Sequence, residues 1–375
     1  MIFKDINKLS PRYIPERLPH REKDIEELLM FFHPQLNTIL PVQVIGPVGC
    51  GKTSVSISTG RKLVKRSFKP LYINLKIANN KFFIYNSLLE QLSKGYSSRN
   101  LGPEEILAKL INIIRKRKIK AYIILDEIGY YVKSTRDSSI IYDLTRVNEI
   151  SPQARGIVLG IVFIARDLGW YKVLDASERS SLGNIILNLE PYTKDQLIDI
   201  LEYRVSEAFN PGSIDFDVID YIADITVKEA SSDVRYALDL LQYAGILAER
   251  RGDIRVTLDH VRHVLSRLNP YITSEDLYTL SEAERLALLA LAYILRRKSV
   301  AYASFTEIFD EFKLVQEEYL GKTKYRIKAF ENAIQTMQDK GIIVFMGVKR
   351  LGINAPTDRL IPFLERIIES LSNQF

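Results

Sequence analysis

Gly46-Pro47-Val48-Gly49-Cys50-Gly51-Lys52-Thr53 fits the phosphate-binding pattern G-x-x-x-x-G-K-[ST] without a gap. The run before it, Val42-Gln43-Val44-Ile45, is short, apolar and β-branched, as a buried strand should be. Residues 52–66 read as a helix. A glycine-rich turn with a chance lysine would explain the letters, but not the strand and helix on either side. Glycines at 46, 49 and 51 let the backbone turn tightly and aim its N–H groups inward. The positive end of the helix dipole faces the same point. Lys52 is expected to reach the β- and γ-phosphates of a nucleotide, and the Thr53 hydroxyl to ligate Mg²⁺. The backbone of the whole loop and of Ser54 is expected to line the phosphates.

Composition bounds the rest. At 375 residues the chain has room for two or three domains. No apolar run is long enough to cross a membrane as a helix, and residues 1–5 lack a signal peptide's apolar stretch. A cytoplasmic protein with no membrane partner is the expectation. Cys50 is the only cysteine, so no internal disulfide can form. Its place in the phosphate loop allows a redox switch, although a small residue that fits there is the plainer reading. The net charge of +6 permits nucleic acid without demanding it.

Outward from the loop, residues 71–75 read as a second buried strand, followed by helical runs at 83–93 and 103–117. Ala121-Tyr122-Ile123-Ile124-Leu125-Asp126-Glu127 is an apolar strand ending in two acids, a Walker B element. Asp126 is expected to hold Mg²⁺, and Glu127 to polarise the attacking water. An amphipathic helix is read over 136–148, then strands at 156–164 and 185–189. Strands alternating with helices over 40–190 predict a parallel α/β sheet covered on both faces. Before the loop, Pro11, Pro15 and Pro19 hold the chain extended, either as a tether or as one wall of a nucleotide-base pocket.

From Pro191 the pattern is helical, with a capping box at Thr193 and Gln196 and helices at 193–209, 217–228, 233–251 and 258–268. Asn269-Pro270 marks the next boundary. Two further helices carry capping boxes at Ser281/Glu284 and Ser304/Glu307, a third covers 323–340, and a hairpin follows. That is a winged-helix pattern. Positive charge gathers at the start of the third helix and the hairpin tip: Lys322, Lys324, Arg326, Lys328, Lys349 and Arg350. A solvated helix face would also explain the charge, and winged helices also dock proteins. The division is therefore 1–190 α/β, 191–270 helical and 271–375 winged helix.

With these parts in this order, the chain resembles the archaeal origin-recognition initiators. These are AAA+ relatives of the eukaryotic origin recognition complex and its helicase-loading partner. The most specific stretches are residues 13–22, the P-loop and Ser232-Asp233-Val234-Arg235-Tyr236-Ala237-Leu238-Asp239-Leu240-Leu241. The resemblance implies a AAA+ P-loop domain, a small helical lid and a C-terminal winged helix. It makes Ile14, Pro15 and Arg21 base-side residues and places Tyr192 near the base. It also makes Arg235 the sensor 2 arginine on the γ-phosphate. It implies ATP or ADP with Mg²⁺ as cofactors. Its implied partners are double-stranded origin DNA, other initiator paralogues and the replicative helicase. The helix after Walker B is implied to touch DNA, through Lys133 and Arg136.

Two departures stand out. The sensor 1 position, usually Asn, is Arg166, which has no acceptor with which to orient water. The arginine-finger position is Ser177, with Arg179 a displaced substitute. A missing finger can remove about 10³–10⁵ in rate, so tight binding and a weak, switch-like ATPase are expected, with Glu127, Arg235 and Arg166 as the catalytic group. The resulting reading is an ATP-binding initiator that recognises and deforms duplex origin DNA and helps recruit the helicase. Two alternatives stay open: a P-loop regulatory ATPase whose winged helix docks protein, and a clamp-loader-like machine.

Overall fold

The computed structural model describes all residues except 34, 36, 37, 79, 94–99, 148–156, 158, 269–273, 347–349 and 373–375. The described residues gather into two compact units. One holds Ile14–Gln196 with Ser231–Val234; the other holds Met1–Tyr13, Leu197–Ala230 and Arg235–Phe375.

The first unit contains α1 (Glu22–Phe31), β1 (Ile39–Ile45), α2 (Lys52–Val64), β2 (Phe68–Asn74), α3 (Lys81–Leu92), α4 (Pro103–Lys116) and β3 (Lys120–Asp126). It continues through α5 (Ile128–Thr135), α6 (Ser139–Thr145), β4 (Leu159–Ala165), α7 (Ala176–Leu182) and β5 (Ile186–Asn188). The sheet order is β2-β3-β4-β1-β5, and the strand pairs are parallel. These strands read as unbroken apolar runs because both sheet faces are covered. Ile123, Leu125, Ile161 and Phe163 enter a core with α3 and α4, while Tyr122, Ile124, Val162 and Ile164 enter another with α1 and α2. At Gly160 a Cβ would lie 2.6 Å from the Phe32 ring, so only glycine lets α1 settle on β4.

The amphipathic helix expected at 136–148 is not continuous. A helix not foreseen, α5, starts directly after Glu127, and Arg136 closes it in the left-handed region at φ 59°. Asp137 accepts from the Ser139 N–H at 3.0 Å, and its own N–H donates to Thr135 Oγ1, so α6 begins only at Ser139. These short polar side chains compete locally with helical hydrogen bonds. Ile140, Ile141 and Leu144 are nonetheless buried as the periodicity requires.

The second unit contains α8 (Lys194–Ala208, from Leu197 on), α9 (Phe216–Ala230), α10 (Val234–Arg251), α11 (Leu258–Leu268) and α12 (Ser274–Tyr278). It ends with α13 (Glu282–Lys298), β6 (Ala303–Ser304), α14 (Phe305–Leu320), α15 (Ile327–Asp339), β7 (Val344–Met346), β8 (Arg350–Gly352) and α16 (Thr357–Ser372). The capping boxes at Ser281/Glu284 and Ser304/Glu307 form as read. The third helix starts at Ile327 rather than 323, because Arg326 is extended at φ −92° and ψ 177°. β6 adds a third strand to the hairpin in the order β6-β8-β7, antiparallel throughout, and α16 closes the winged-helix core. The sequence reading includes neither β6, which is two residues long, nor α16, although Leu360, Ile361, Leu364, Ile367 and Ile368 recur at helical spacing and are buried.

The lid helices and the winged helix are fastened by buried polar groups. Asp224 accepts from Lys228 at 2.9 Å and from the Tyr302 hydroxyl. Arg262, almost fully buried, donates to Asp259 at 2.9 Å and to the Val300 carbonyl at 3.0 Å. The Thr357 hydroxyl donates to Asp259 at 2.6 Å.

Candidate functional site

The phosphate loop leaves the carboxyl end of β1, beside the ends of β3 and β4, where ligands of open α/β sheets bind. Gly49 and Gly51 take φ of 73° and 95°, the left-handed region that glycine enters at no steric cost. Space also forbids a side chain. A Cβ on Gly49 would lie 2.0 Å from Asp233 Oδ1, and one on Gly51 would lie 2.9 Å from the Tyr192 hydroxyl. Asp233 belongs to the short segment that stays with the sheet unit. Lys52 folds back on the loop, donating to the carbonyls of Gly46 at 2.7 Å and Pro47 at 2.5 Å.

At the start of α2, Thr53 Oγ1 donates to Asp126 Oδ2 at 2.8 Å. Tyr72, on β2, donates to the same oxygen at 3.0 Å. Burial pushes the Asp126 carboxyl up, with Glu127 adding to it, while the Thr53 and Tyr72 hydroxyls pull the other way. A hydroxyl and a carboxylate meeting at the mouth of a glycine cradle are the hard oxygen donors that suit Mg²⁺ beside a nucleotide's phosphates. The residues present fit both groups. Burial raises the Cys50 thiol, so this cysteine stays protonated and behaves as the small filler of the loop.

Glu127 follows in the left-handed region at φ 62°. Its Oε1 lies 3.2 Å from Lys76 Nζ and its Oε2 lies 3.8 Å from Arg166 Nε. Arg166, just beyond β4, thus reaches the Walker B glutamate. Ser177 lies in the first turn of α7, and Arg179 donates to the Tyr171 carbonyl at 3.1 Å.

Arg21 and Tyr192 come together. The guanidinium sits 4.1 Å above the Tyr192 ring and is buried. Pro15 is buried nearby in sequence, and the Ile14 carbonyl accepts from Arg61 at 3.0 Å. Arg235 lies in the first turn of α10, in the other unit.

In the winged helix, Lys322, Lys324 and Arg326 are exposed on the approach to α15, and Lys328 is exposed in its first turn. Lys324 is bound to Glu282 at 2.6 Å, and the Tyr325 hydroxyl donates to the same carboxylate oxygen at 2.6 Å. Arg350 is exposed at the start of β8, and Lys349 lies outside the described residues. In the sheet unit, Lys133 is exposed on α5 and lies 3.6 Å from Asp167, and Arg136 is exposed where α5 ends. Tyr72, Lys76 and Asp233 were not nominated from sequence. Asp233 lies inside a quoted stretch, but no spacing rule marks any of the three.

A P-loop after β1, an acidic pair after β3, a helical lid and a winged helix define a AAA+ ATPase fold. The Cdc6 AAA+ ATPase-type lid domain matches residues 198–265. ORC1-type DNA replication protein 1 of Aeropyrum pernix is 30% identical over 357 residues, covering 93% of this chain and 89% of that protein. The ORC1-type DNA replication protein of Pyrococcus horikoshii is 32% identical over 354 residues, covering 91% of this chain and 83% of that protein. Among solved structures, Cdc6p from Pyrobaculum aerophilum superposes with a TM-score of 0.81 at 25% identity, covering 99% of this chain and 100% of that one. The Aeropyrum pernix ORC1 protein in complex with DNA superposes with a TM-score of 0.64 at 29% identity, covering 98% and 99%. The chain belongs to the family of ORC1-type DNA replication proteins. No helix among its described residues is long and apolar enough to cross a membrane.

Proposed function

We propose that this protein is an ATP-binding initiator that grips and deforms duplex origin DNA, acts beside paralogues and helps recruit the replicative helicase. The observation that carries the nucleotide part is the convergence of Thr53 and Asp126 at 2.8 Å beside a glycine loop with left-handed turns. Bound there, Mg²⁺ and ATP supply a polarised γ-phosphate. Lys52 neutralises phosphate charge, Asp126 and Thr53 hold the metal, and Glu127 orients water. Ile14 and Pro15 belong to the base side, and Arg235 reads the γ-phosphate. The three parts 1–190, 191–270 and 271–375 act as nucleotide domain, lid and DNA reader.

Hydrolysis is slow on this reading. Both carboxylate oxygens of Glu127 face cations, Lys76 and Arg166, which compete with an attacking water for those acceptors. Arg166 offers donors only, where an amide would also accept. The exposed cations Lys322, Lys324, Arg326 and Lys328 meet DNA phosphates at α15, Arg350 and Lys349 form the wing contact, and Lys133 and Arg136 add a second patch on α5. A related ORC1 protein solved in complex with DNA supports DNA as the partner.

Titrating duplex binding against salt tests it: a log–log slope of about −0.9 per phosphate neutralised is expected. Affinity that stays flat from low to moderate salt would overturn the DNA assignment. Calorimetry with Mg-ATP and Mg-ADP tests the other half, and uptake of neither would end it.

A further inference from the structure

The assigned role of Arg21 places it at the base. Its hydrogen bonds point elsewhere. Nε donates to the Cys50 carbonyl at 3.0 Å and to the Tyr192 hydroxyl at 2.9 Å. Nη2 donates to the Glu190 carbonyl at 2.6 Å, and Nη1 meets Asp24 at 3.2 Å. The side chain is 8% exposed. A guanidinium engaged on all three nitrogens and stacked on a tyrosine has little left to offer a purine.

A loop that turns its N–H groups toward an anion turns carbonyls away from it, and buried carbonyls need donors. Arg21 supplies that donor to Cys50, at the centre of the phosphate loop. It also puts a fixed positive charge behind the loop's anion-facing side. The same guanidinium grips Glu190 and Tyr192, the segment that leads from β5 into α8. That segment presses on the loop twice: the Leu189 carbonyl would lie 2.4 Å from a Cβ on Gly46, and the Tyr192 hydroxyl 2.9 Å from one on Gly51.

We infer that Arg21, braced by Tyr192, is a positioning residue for the phosphate loop, and that its contribution falls on the phosphates rather than on the base. This rests on the nucleotide-site reading above. The arrangement joins α1, the phosphate loop and the segment entering α8 at one buried cation.

The test is competition against a fluorescent ADP analogue by ATP, GTP and inorganic tripolyphosphate, on the full chain with Mg²⁺. The variants are Arg21→Lys and Tyr192→Phe, with melting temperatures recorded for each. Arg21→Lys is expected to weaken ATP and tripolyphosphate by the same factor, roughly tenfold, leaving the ATP-to-GTP ratio unchanged. Tyr192→Phe removes one hydroxyl and keeps the stacked ring. It is expected to weaken both by about threefold in the same proportion. Loss of ATP affinity with tripolyphosphate unaffected, or a changed ATP-to-GTP ratio, returns Arg21 to the base pocket and overturns the inference. Lower melting temperatures with all affinities unchanged also overturn it. Failure of the wild-type chain to bind any of the three ligands would instead refute the nucleotide site itself.

Discussion

Glu282→Gln should tighten DNA binding, although the residue lies outside the basic cluster. Its carboxylate holds Lys324 at 2.6 Å and accepts from the Tyr325 hydroxyl, with the lysine side chain 49% exposed. For Lys324 to meet a phosphate it must leave Glu282, and the abandoned carboxylate then stands near the DNA backbone. The pair therefore cancels one positive charge at the approach to α15. Removing the carboxylate adds up to one neutralised phosphate, which steepens the log–log salt slope by about 0.9. Over a fourfold change in salt, for example from about 50 to 200 mM, one such charge amounts to about a 3.5-fold change in affinity. The variant should then exceed the wild type about 3.5 times more strongly at the low end of that range than at the high end. Fluorescence anisotropy on random and origin-derived duplexes across a salt series measures both the affinity and the slope. A melting curve guards against damage at the start of α13. Affinity that is unchanged or weaker at low salt, or an unchanged slope, would show that Lys324 does not reach DNA and that its bond to Glu282 is purely structural.

Arg166→Asn restores an amide beyond β4 and frees one oxygen of Glu127; single-turnover ATP hydrolysis should rise about tenfold, and an equal or lower rate would count against the cation-held glutamate. Tyr72→Phe removes one donor to Asp126, a loss of about 1 kcal/mol. It should raise the Mg²⁺ concentration for half-maximal nucleotide binding about fivefold while leaving binding in EDTA alone; equal losses with and without metal would contradict a role at the metal aspartate. Burial holds His260 and His263 below the ordinary imidazole value. The unfolded chain therefore takes up more protons as pH falls below about 6.5. Stability should be full above that pH and decline toward pH 5, and Gln at both positions should flatten the melting-temperature profile, whereas an unaltered profile would exclude these two groups.

The sequence shows the catalytic end of the sheet because chemistry there is written along one strand. The glycines of the loop, Lys52 and Thr53 are contiguous, and Asp126 and Glu127 terminate an apolar run. Each needs only its own neighbours to be recognised. Tyr72 and Lys76 are different. Tyr72 reaches Asp126 because β2 and β3 pair in parallel with Asn74 opposite Asp126, and no spacing within one strand reveals that. Likewise Asp233 lies far along the chain from Gly49, and only folding sets its carboxylate against the loop.

The same argument explains the misread helix after Walker B. The apolar spacing of Ile140, Ile141 and Leu144 marks a buried face, yet periodicity carries no information about where a backbone breaks. Thr135, Asp137 and Ser139 decide that through short-range hydrogen bonds, and Arg136 accepts a left-handed backbone between them. The consequence is functional. Because α5 starts at Ile128, one residue after Glu127, Lys133 and Arg136 stand on a rigid element that begins at the proposed catalytic glutamate. A phosphate drawing Lys133 away from Asp167, which follows Arg166 in sequence, would act on α5, which starts next to Glu127, and on the end of β4, whose Arg166 lies 3.8 Å from that glutamate. Charge at the proposed DNA patch and charge at the proposed hydrolytic site are thus linked by one short helix and by one ion pair, a proximity hidden in a sequence read as one helix from 136 to 148.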